Sequence, residues 1–219
     1  MLITAGPTRE PIDGVRYISN RSSGKMGYAI AEQAALRGAI VILISGPVRL
    51  ETPQGVTRVD VESAVEMREA VMDHLEAATI VIKAAAVADY YVANAAATKI
   101  KKTQARLTLD LEPTPDILAE LGTKKGDRLL IGFAAETDNL VNEARRKLNA
   151  KNCDMVVGNL VAPPAMNSQA RGFDADENEV VLVTRMGDTI AVERAPKRVI
   201  ADRILNEIPR LRLAAHAKA

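Results

Sequence analysis

The chain has 219 residues, 47% hydrophobic and 26% charged, with 29 basic against 28 acidic side chains. That balance excludes a global basic surface for nucleic acid or an anionic membrane, so any basic site must come from local clustering. The length suits one large α/β domain or two small ones, and the lone Cys153 excludes an internal disulfide and fits a reducing cytosol.

The first element is a short apolar strand, Leu2-Ile3-Thr4-Ala5-Gly6, starting at residue 2 as expected of a domain cut from a longer polypeptide. No signal peptide precedes it and no apolar run reaches membrane-spanning length, so a soluble, cytoplasmic protein is expected. The most informative stretch follows: Ser19-Asn20-Arg21-Ser22-Ser23-Gly24-Lys25-Met26-Gly27, running directly into a helical pattern. A small-residue loop between a strand and a helix N-terminus lets backbone N–H groups converge on an anion. The helix dipole adds about half a positive charge there, and Lys25 carries a full one. The loop reads as a phosphate cradle, with a plain strand-to-helix turn as the alternative.

Neither familiar phosphate fingerprint fits it. In a P-loop the Gly-Lys pair precedes Ser or Thr, but Met26 follows Gly24-Lys25. The dinucleotide pattern G-x-G-x-x-G is met at Gly24 and Gly27, but Ser22 holds its first position. The acid that would bind a ribose is also missing, because the second strand ends Ile44-Ser45-Gly46-Pro47.

Met26, Ala29, Ile30 and Ala34 recur at helical spacing and Gly38 closes that helix, with Gly27 and Ala31 small enough for close packing on a sheet. Residues 40–45 form an unbroken apolar run, the pattern of a strand buried on both faces. Ser63 and Glu66 make a capping box for a helix to about Ala77. Further strands are expected at 79–86, 129–134 and 154–158, with a helix over about 139–152. A hairpin over 180–184 and 189–193 and a helix over 197–212 complete the chain, with a disordered tail over about 213–219. One domain spanning 1–219 is expected: α/β, built on a mostly parallel, doubly wound sheet with a C-terminal β-hairpin. Ligands of such sheets sit beyond the carboxyl ends of the strands. Here those ends are 6–20, Gly46, 84–89, 134–137 and Asn159.

Several groups border that crevice. Ala84-Ala85-Ala86-Val87-Ala88-Asp89-Tyr90 puts small residues and then an acid at a strand end, for a ligand packed on backbone amides with Asp89 accepting from its hydroxyl or amino groups. Tight alanine packing with Asp89 as a cap fits the same spacing. Lys99-Ile100-Lys101-Lys102 lies in a long loop, about 91–104, that reads either as a solvated basic face or as a flap closing on a triphosphate. Lys147 and Lys151 stand one helical turn apart. Pro113-Thr114-Pro115-Asp116 starts a short helix at the rim, and Phe133 ends a buried strand where it could stack on a base or belong to the core. The histidines, His74 and His216, lie on a helix and in the tail and suggest no triad. Cys153 reads as a buried, inert thiol. Catalysis must then rest on positioning and electrostatics, as in phosphoryl and nucleotidyl transfer.

Taken together, these blocks resemble the bacterial phosphopantothenate–cysteine ligase family, over nearly the whole chain. The resemblance rests on residues 3–10, 15–20, 22–27, 85–90, 99–102, 115–117 and 132–137, in that order. It implies a three-layer, Rossmann-like fold and a two-step ligation. The carboxylate of 4′-phosphopantothenate attacks the α-phosphate of CTP to give an acyl-cytidylate, and the amine of cysteine then displaces CMP. It implies nucleotide contacts from Gly6, Ser22, Gly24, Lys25, Gly27, Asp89, Lys99, Pro115, Asp116, Ile117, Leu118, Phe133, Lys147 and Lys151. The phosphopantothenate contacts implied are Asn20, Ala85, Ala86 and Asp89, with Arg16 supplied by a second subunit. Asn20 and Lys99 would be the catalytic side chains, Asn20 stabilising charge on the acyl carbonyl or cytidylate. Mg²⁺ is expected on the triphosphate, with no protein ligand assigned. A homodimer is implied, as is fusion in many members to a flavin-dependent decarboxylase. CTP is implied because bacterial-type members with this lysine flap resemble CTP users, whereas eukaryotic relatives use ATP. Two other readings stay open: an NADP-linked reductase using Arg49 for the 2′-phosphate, and a nucleotide sensor without turnover.

Overall fold

The computed structural model describes residues 1–102, 106–136, 138–160 and 175–216. In it the parallel strands β1 (Leu2–Ala5), β4 (Val41–Ser45), β5 (Val56–Asp60), β6 (Ile80–Lys83), β9 (Leu129–Glu136) and β10 (Met155–Leu160) lie in the order β5-β4-β1-β6-β9-β10. Two antiparallel strands, β11 (Glu177–Thr184) and β12 (Thr189–Pro196), extend the β10 edge. Two short ribbons stand apart: β2 (Arg9–Pro11) with β3 (Tyr17–Ser19), and β7 (Tyr90–Val92) with β8 (Leu111–Pro113). The mostly parallel sheet and its terminal hairpin are as expected from sequence.

The interior strands read as nearly unbroken apolar runs because both faces of the sheet are covered. One face packs Ile3, Ile82 and Ile131 against α1 (Lys25–Leu36) and α5 (Lys197–His216), through Ile30, Ala31, Ile200 and Ile204. The other packs Leu2, Val81 and Leu130 against α2 (Ala64–Asp73), α3 (Ile117–Thr123) and α4 (Leu140–Ala150), through Met67, Leu118 and Leu148. Strand alternation makes this division, and it later decides which side chains share a wall of the site. None of the described helices is long and apolar enough to cross a membrane.

Some details depart from the sequence reading. Strand β5 was not anticipated: it is an edge strand without a buried residue, so its pattern lacks the apolar run of the inner strands. The helix expected to end near Ala77 stops at Asp73, with His74 as its cap. Its capping box is half formed as anticipated, with Glu66 N–H donating to Ser63 Oγ at 3.2 Å. The Glu66 carboxylate, however, accepts from the N–H of Glu62, one residue before the cap. Helix α5 runs to His216, so the part of the expected disordered tail at 213–216 is helical; 217–219 lie outside the described residues, as do 103–105 of the flap and Thr137.

Gly27 shows how closely α1 lies on the sheet. A Cβ there would come within 2.6 Å of the Ala5 Cβ and 3.1 Å of the Thr4 carbonyl oxygen. Helix and strand would have to separate, a cost of about 1–3 kcal/mol for overpacking. Gly27→Ala should therefore lower the midpoint of urea unfolding with little change in its slope, and an unchanged midpoint would show that α1 has slack.

Candidate functional site

The carboxyl ends of β1, β6, β9 and β10 open into a cavity of about 400 Å³, within the range of small-molecule sites. It lies at the point where strand order reverses, between β1 and β6. Its floor is built by hydrogen bonds between the two strand-end segments. The Ala85 N–H donates to Thr4 Oγ1 at 3.1 Å, and the Ala88 N–H to Thr8 Oγ1 at 2.9 Å. The Ala86 N–H donates to the Gly6 carbonyl at 2.9 Å. Thr4 and Thr8 are fully buried, so these bonds form away from competing water. They hold the small-residue loop 84–88 open-faced toward the cavity.

The first wall is the predicted cradle. Gly24 adopts a positive φ of 78° as the N-cap of α1, and no side chain caps the helix. Its first turn carries no acid, which leaves the positive end of the helix facing the cavity lined by 22–27. The Lys25 ammonium pairs with the Asp176 carboxylate at 2.6 Å, tying the cradle to the segment before β11. Asn20 crosses the gap to the floor: its amide N–H groups donate to the carbonyls of Ala86 and Val87 at 3.1 and 3.0 Å.

The opposite wall carries Lys83 and Lys147. Lys147 Nζ donates to the Phe133 carbonyl at 3.2 Å, and Lys83 Nζ makes one long contact of 3.5 Å with the Ala85 carbonyl. Burial, with the neighbouring Lys147 charge, lowers the Lys83 pKa to about 8 against the opposing pull of Asp116 and Asp89. On the α1/α5 side, Phe133 is joined by Asn159, Asn178 and Lys197, all three buried. Lys197 Nζ donates to the Ala175 carbonyl. The Asn159 Oδ1 is buried without a hydrogen-bond partner among the described residues.

Of the residues expected from sequence, the cavity thus gathers Asn20, Ser22, Gly24, Lys25, Gly27, Ala85, Ala86, Asp89, Phe133 and Lys147. Gly6 lies beneath, where a Cβ would meet the Gly46 carbonyl oxygen at 2.9 Å. Lys151 is engaged by Asp116 at 2.6 Å, and Asp116 also caps α3 by accepting the Ala119 N–H at 2.9 Å. Ile117 and Leu118 are buried in the core, so only their backbone can face a ligand. Arg16 and Lys99 do not line this cavity. The Arg16 guanidinium binds the buried Asp13 carboxylate and reaches the Ile100 carbonyl at 3.0 Å. Asp13 also accepts the Ile100 N–H at 3.0 Å, so it anchors the base of the lysine flap to the β2–β3 turn. The Arg16 hydrogen bond, helped by three backbone N–H groups, holds the Asp13 carboxyl well below the usual range.

Sequence reasoning missed Lys83, Asn178, Lys197 and the anchor Asp13. Lys83 was the most accessible of these, as the one charge ending the apolar run Ile80-Val81-Ile82. Cys153 is buried as expected, and burial pushes its thiol up to about 12. At pH 8 only about one thiol in ten thousand is then ionised. Native protein should react negligibly with an aromatic disulfide reagent until denaturant is added; rapid native labelling would contradict this burial.

A doubly wound sheet with an uncapped helix N-terminus and lysines at its switch point defines a three-layer α/β domain with a crevice whose chemistry suits an anion. The chain belongs, more specifically, to the DNA/pantothenate metabolism flavoprotein C-terminal domain family, which it matches over residues 1–211. It is 47% identical to the coenzyme A biosynthesis bifunctional protein CoaBC of Bacillus subtilis, over 96% of this chain and 51% of the relative. It is also 47% identical to that of Escherichia coli K12, over 95% and 51%. The chain thus spans about half the length of these relatives. The crystal structure of a CoaBC C-terminal domain superposes with a TM-score of 0.78 at 45% identity, over 94% of this chain and 92% of that one.

Proposed function

We propose that this domain joins 4′-phosphopantothenate and L-cysteine into 4′-phosphopantothenoylcysteine at the expense of CTP, within coenzyme A biosynthesis. The observation that carries the reading is the cavity itself. A helix N-terminus free of side-chain caps faces a loop of small residues and two lysines across the switch point, in a chain 47% identical to CoaBC proteins. Two polyanions must meet in this reaction, and backbone donors with lysines offset their repulsion.

In the first step a carboxylate oxygen of phosphopantothenate bonds to the α-phosphorus of CTP, and the bond from that phosphorus to the bridging oxygen breaks, releasing pyrophosphate. In the second, the cysteine nitrogen bonds to the acyl carbon, CMP leaves with its oxygen, and the amine gives up a proton. The 22–27 loop holds phosphate, and Phe133, Lys147 and Lys151 complete the hold on the nucleotide. Ala85 and Ala86 present their backbone to the pantothenate. Asn20 exchanges one of its two carbonyl partners for the acyl oxygen as substrate enters. Lys99 arrives on the flap whose base Asp13 fixes. Arg16 does not line its own cavity, as suits a residue that completes the site of a second subunit, and we include a homodimer in the proposal.

Mg²⁺ would come with the triphosphate and screen its charge. Among the described residues Asp89 is the one carboxylate on the cavity wall, and no cluster of three metal-ligating side chains forms. This donor set suits an ion held chiefly by phosphates and water. The NADP-linked reductase reading places Arg49 on the 2′-phosphate, and Arg49 is not among the residues that line the cavity.

Pyrophosphate release from CTP, Mg²⁺ and 4′-phosphopantothenate is the direct test, run with and without cysteine and repeated with ATP. Release with CTP, and CMP with the cysteine amide once cysteine is added, is the expected result; silence with both nucleotides would sink the ligase. Asn20→Ala should keep CTP affinity within about threefold while losing roughly 10²-fold or more in coupled product formation. Full ligation by this variant would remove Asn20 from its role.

A further inference from the structure

Lys83 is a second cation in the site that the ligase reading leaves without a task. It ends β6, on the sheet face it shares with Val81, and so stands in the same wall as Lys147 of α4. Its only hydrogen-bond partner among the described residues is the Ala85 carbonyl, at a long 3.5 Å. Two carboxylates face it: Asp116 at the start of α3 and Asp89 in the loop after β6. Asp116 is already held by Lys151 at 2.6 Å, and Asp89 is exposed to solvent. Two ammonium groups are thus brought together on one wall of the cavity, each hydrogen-bonded among the described residues to a backbone carbonyl and neither ion-paired there. Such a pair is costly alone and becomes favourable when a multiply charged anion bridges it.

We propose that Lys83 and Lys147 form one phosphate-binding pair and that Lys83 is a binding residue for the polyphosphate of the incoming nucleotide. The proposal rests on the nucleotide reading above but is separable from it. The ligand class it names is a nucleoside triphosphate, with inorganic tripolyphosphate as the minimal probe. Because burial and Lys147 hold Lys83 near its neutral form above about pH 8, a bound anion must draw a proton onto it. Lys147, Asp116 and Asp89 are the charged groups facing it whose effects that uptake includes.

The test is titration calorimetry of the whole chain with Mg²⁺-tripolyphosphate and Mg²⁺-CTP at about pH 8.5, in buffers of different ionisation heat. Wild type should take up protons with both ligands. Lys83→Met and Lys83→Gln should each weaken both about tenfold or more and lose most of that uptake. Their thermal midpoints should hold or rise, because a desolvated charge has gone. Wild-type tripolyphosphate affinity in either folded variant overturns the pair. So does wild-type binding without proton uptake, which needs no variant to fold, and so does failure of wild type to bind tripolyphosphate. If tripolyphosphate binds in a Lys83-dependent way but CTP does not bind, the pair stands and the ligase reading falls. If CTP binds equally well to wild type and variants, the pair falls and the ligase reading is untouched.

Discussion

The site depends on a set of hydrogen bonds that fasten the end of β1 to the end of β6. Thr4 and Thr8 turn their hydroxyls into the loop that follows β6, and the Gly6 carbonyl lies between them. In a parallel sheet adjacent strands are joined by helices on one face or the other, and at the switch point the two connections diverge. A gap opens there for topological reasons. Left to itself, the 84–88 loop would carry unsatisfied backbone groups at the edge of the core. The two buried threonines satisfy the Ala85 and Ala88 N–H groups, while Asn20 meets the Ala86 and Val87 carbonyls from across the gap. Small side chains are then required: Ala84, Ala85 and Ala86 present backbone where larger residues would fill the cavity.

Around that floor, charge is distributed by the two layers of the fold. The α1 side offers partial charges from a helix end and full charges already compensated, as in the Lys25–Asp176 pair. The α3/α4 side carries Lys83 and Lys147 with backbone carbonyls for partners, and the Asp116–Lys151 pair at its rim. The local positive charge of the cavity comes from this arrangement and not from net charge, which is close to neutral for the whole chain. The flap is governed separately. Asp13, buried and fully engaged by Arg16 and the Ile100 N–H, decides where the lysine run begins its excursion.

How much of this was legible beforehand varied with the kind of signal. Inner strands such as β4 and β6 announce themselves, because burial on both faces demands continuous apolar runs. The close approach at Gly27 could be read from its size and its place one turn into a helix. The edge strand β5 could not, since half-exposed residues at its position look like loop. The short ribbons β2–β3 and β7–β8 were equally silent: three-residue strands carry too little periodicity to be seen. Among site residues, those in the cradle and the alanine loop were recognisable as blocks. Asn178 and Lys197 were not, because they sit on the hairpin and final helix, far in sequence from the phosphate loop.

By itself, then, the amino-acid sequence determined the layered α/β class, the loop at residues 22–27 that lines the cavity, the buried thiol of Cys153 and the family to which the chain belongs. These follow from local periodicity, small residues at strand ends and contiguous motifs. Tertiary structure alone decided that Lys83 stands beside Lys147, that Asp116 holds Lys151, and that Asp13 and Arg16 meet the backbone of Ile100. The lysine and Asp116–Lys151 pairings join residues that are distant along the chain, and no local pattern encodes them. They arise because strand order, helix placement and the pleat together choose which side chains meet.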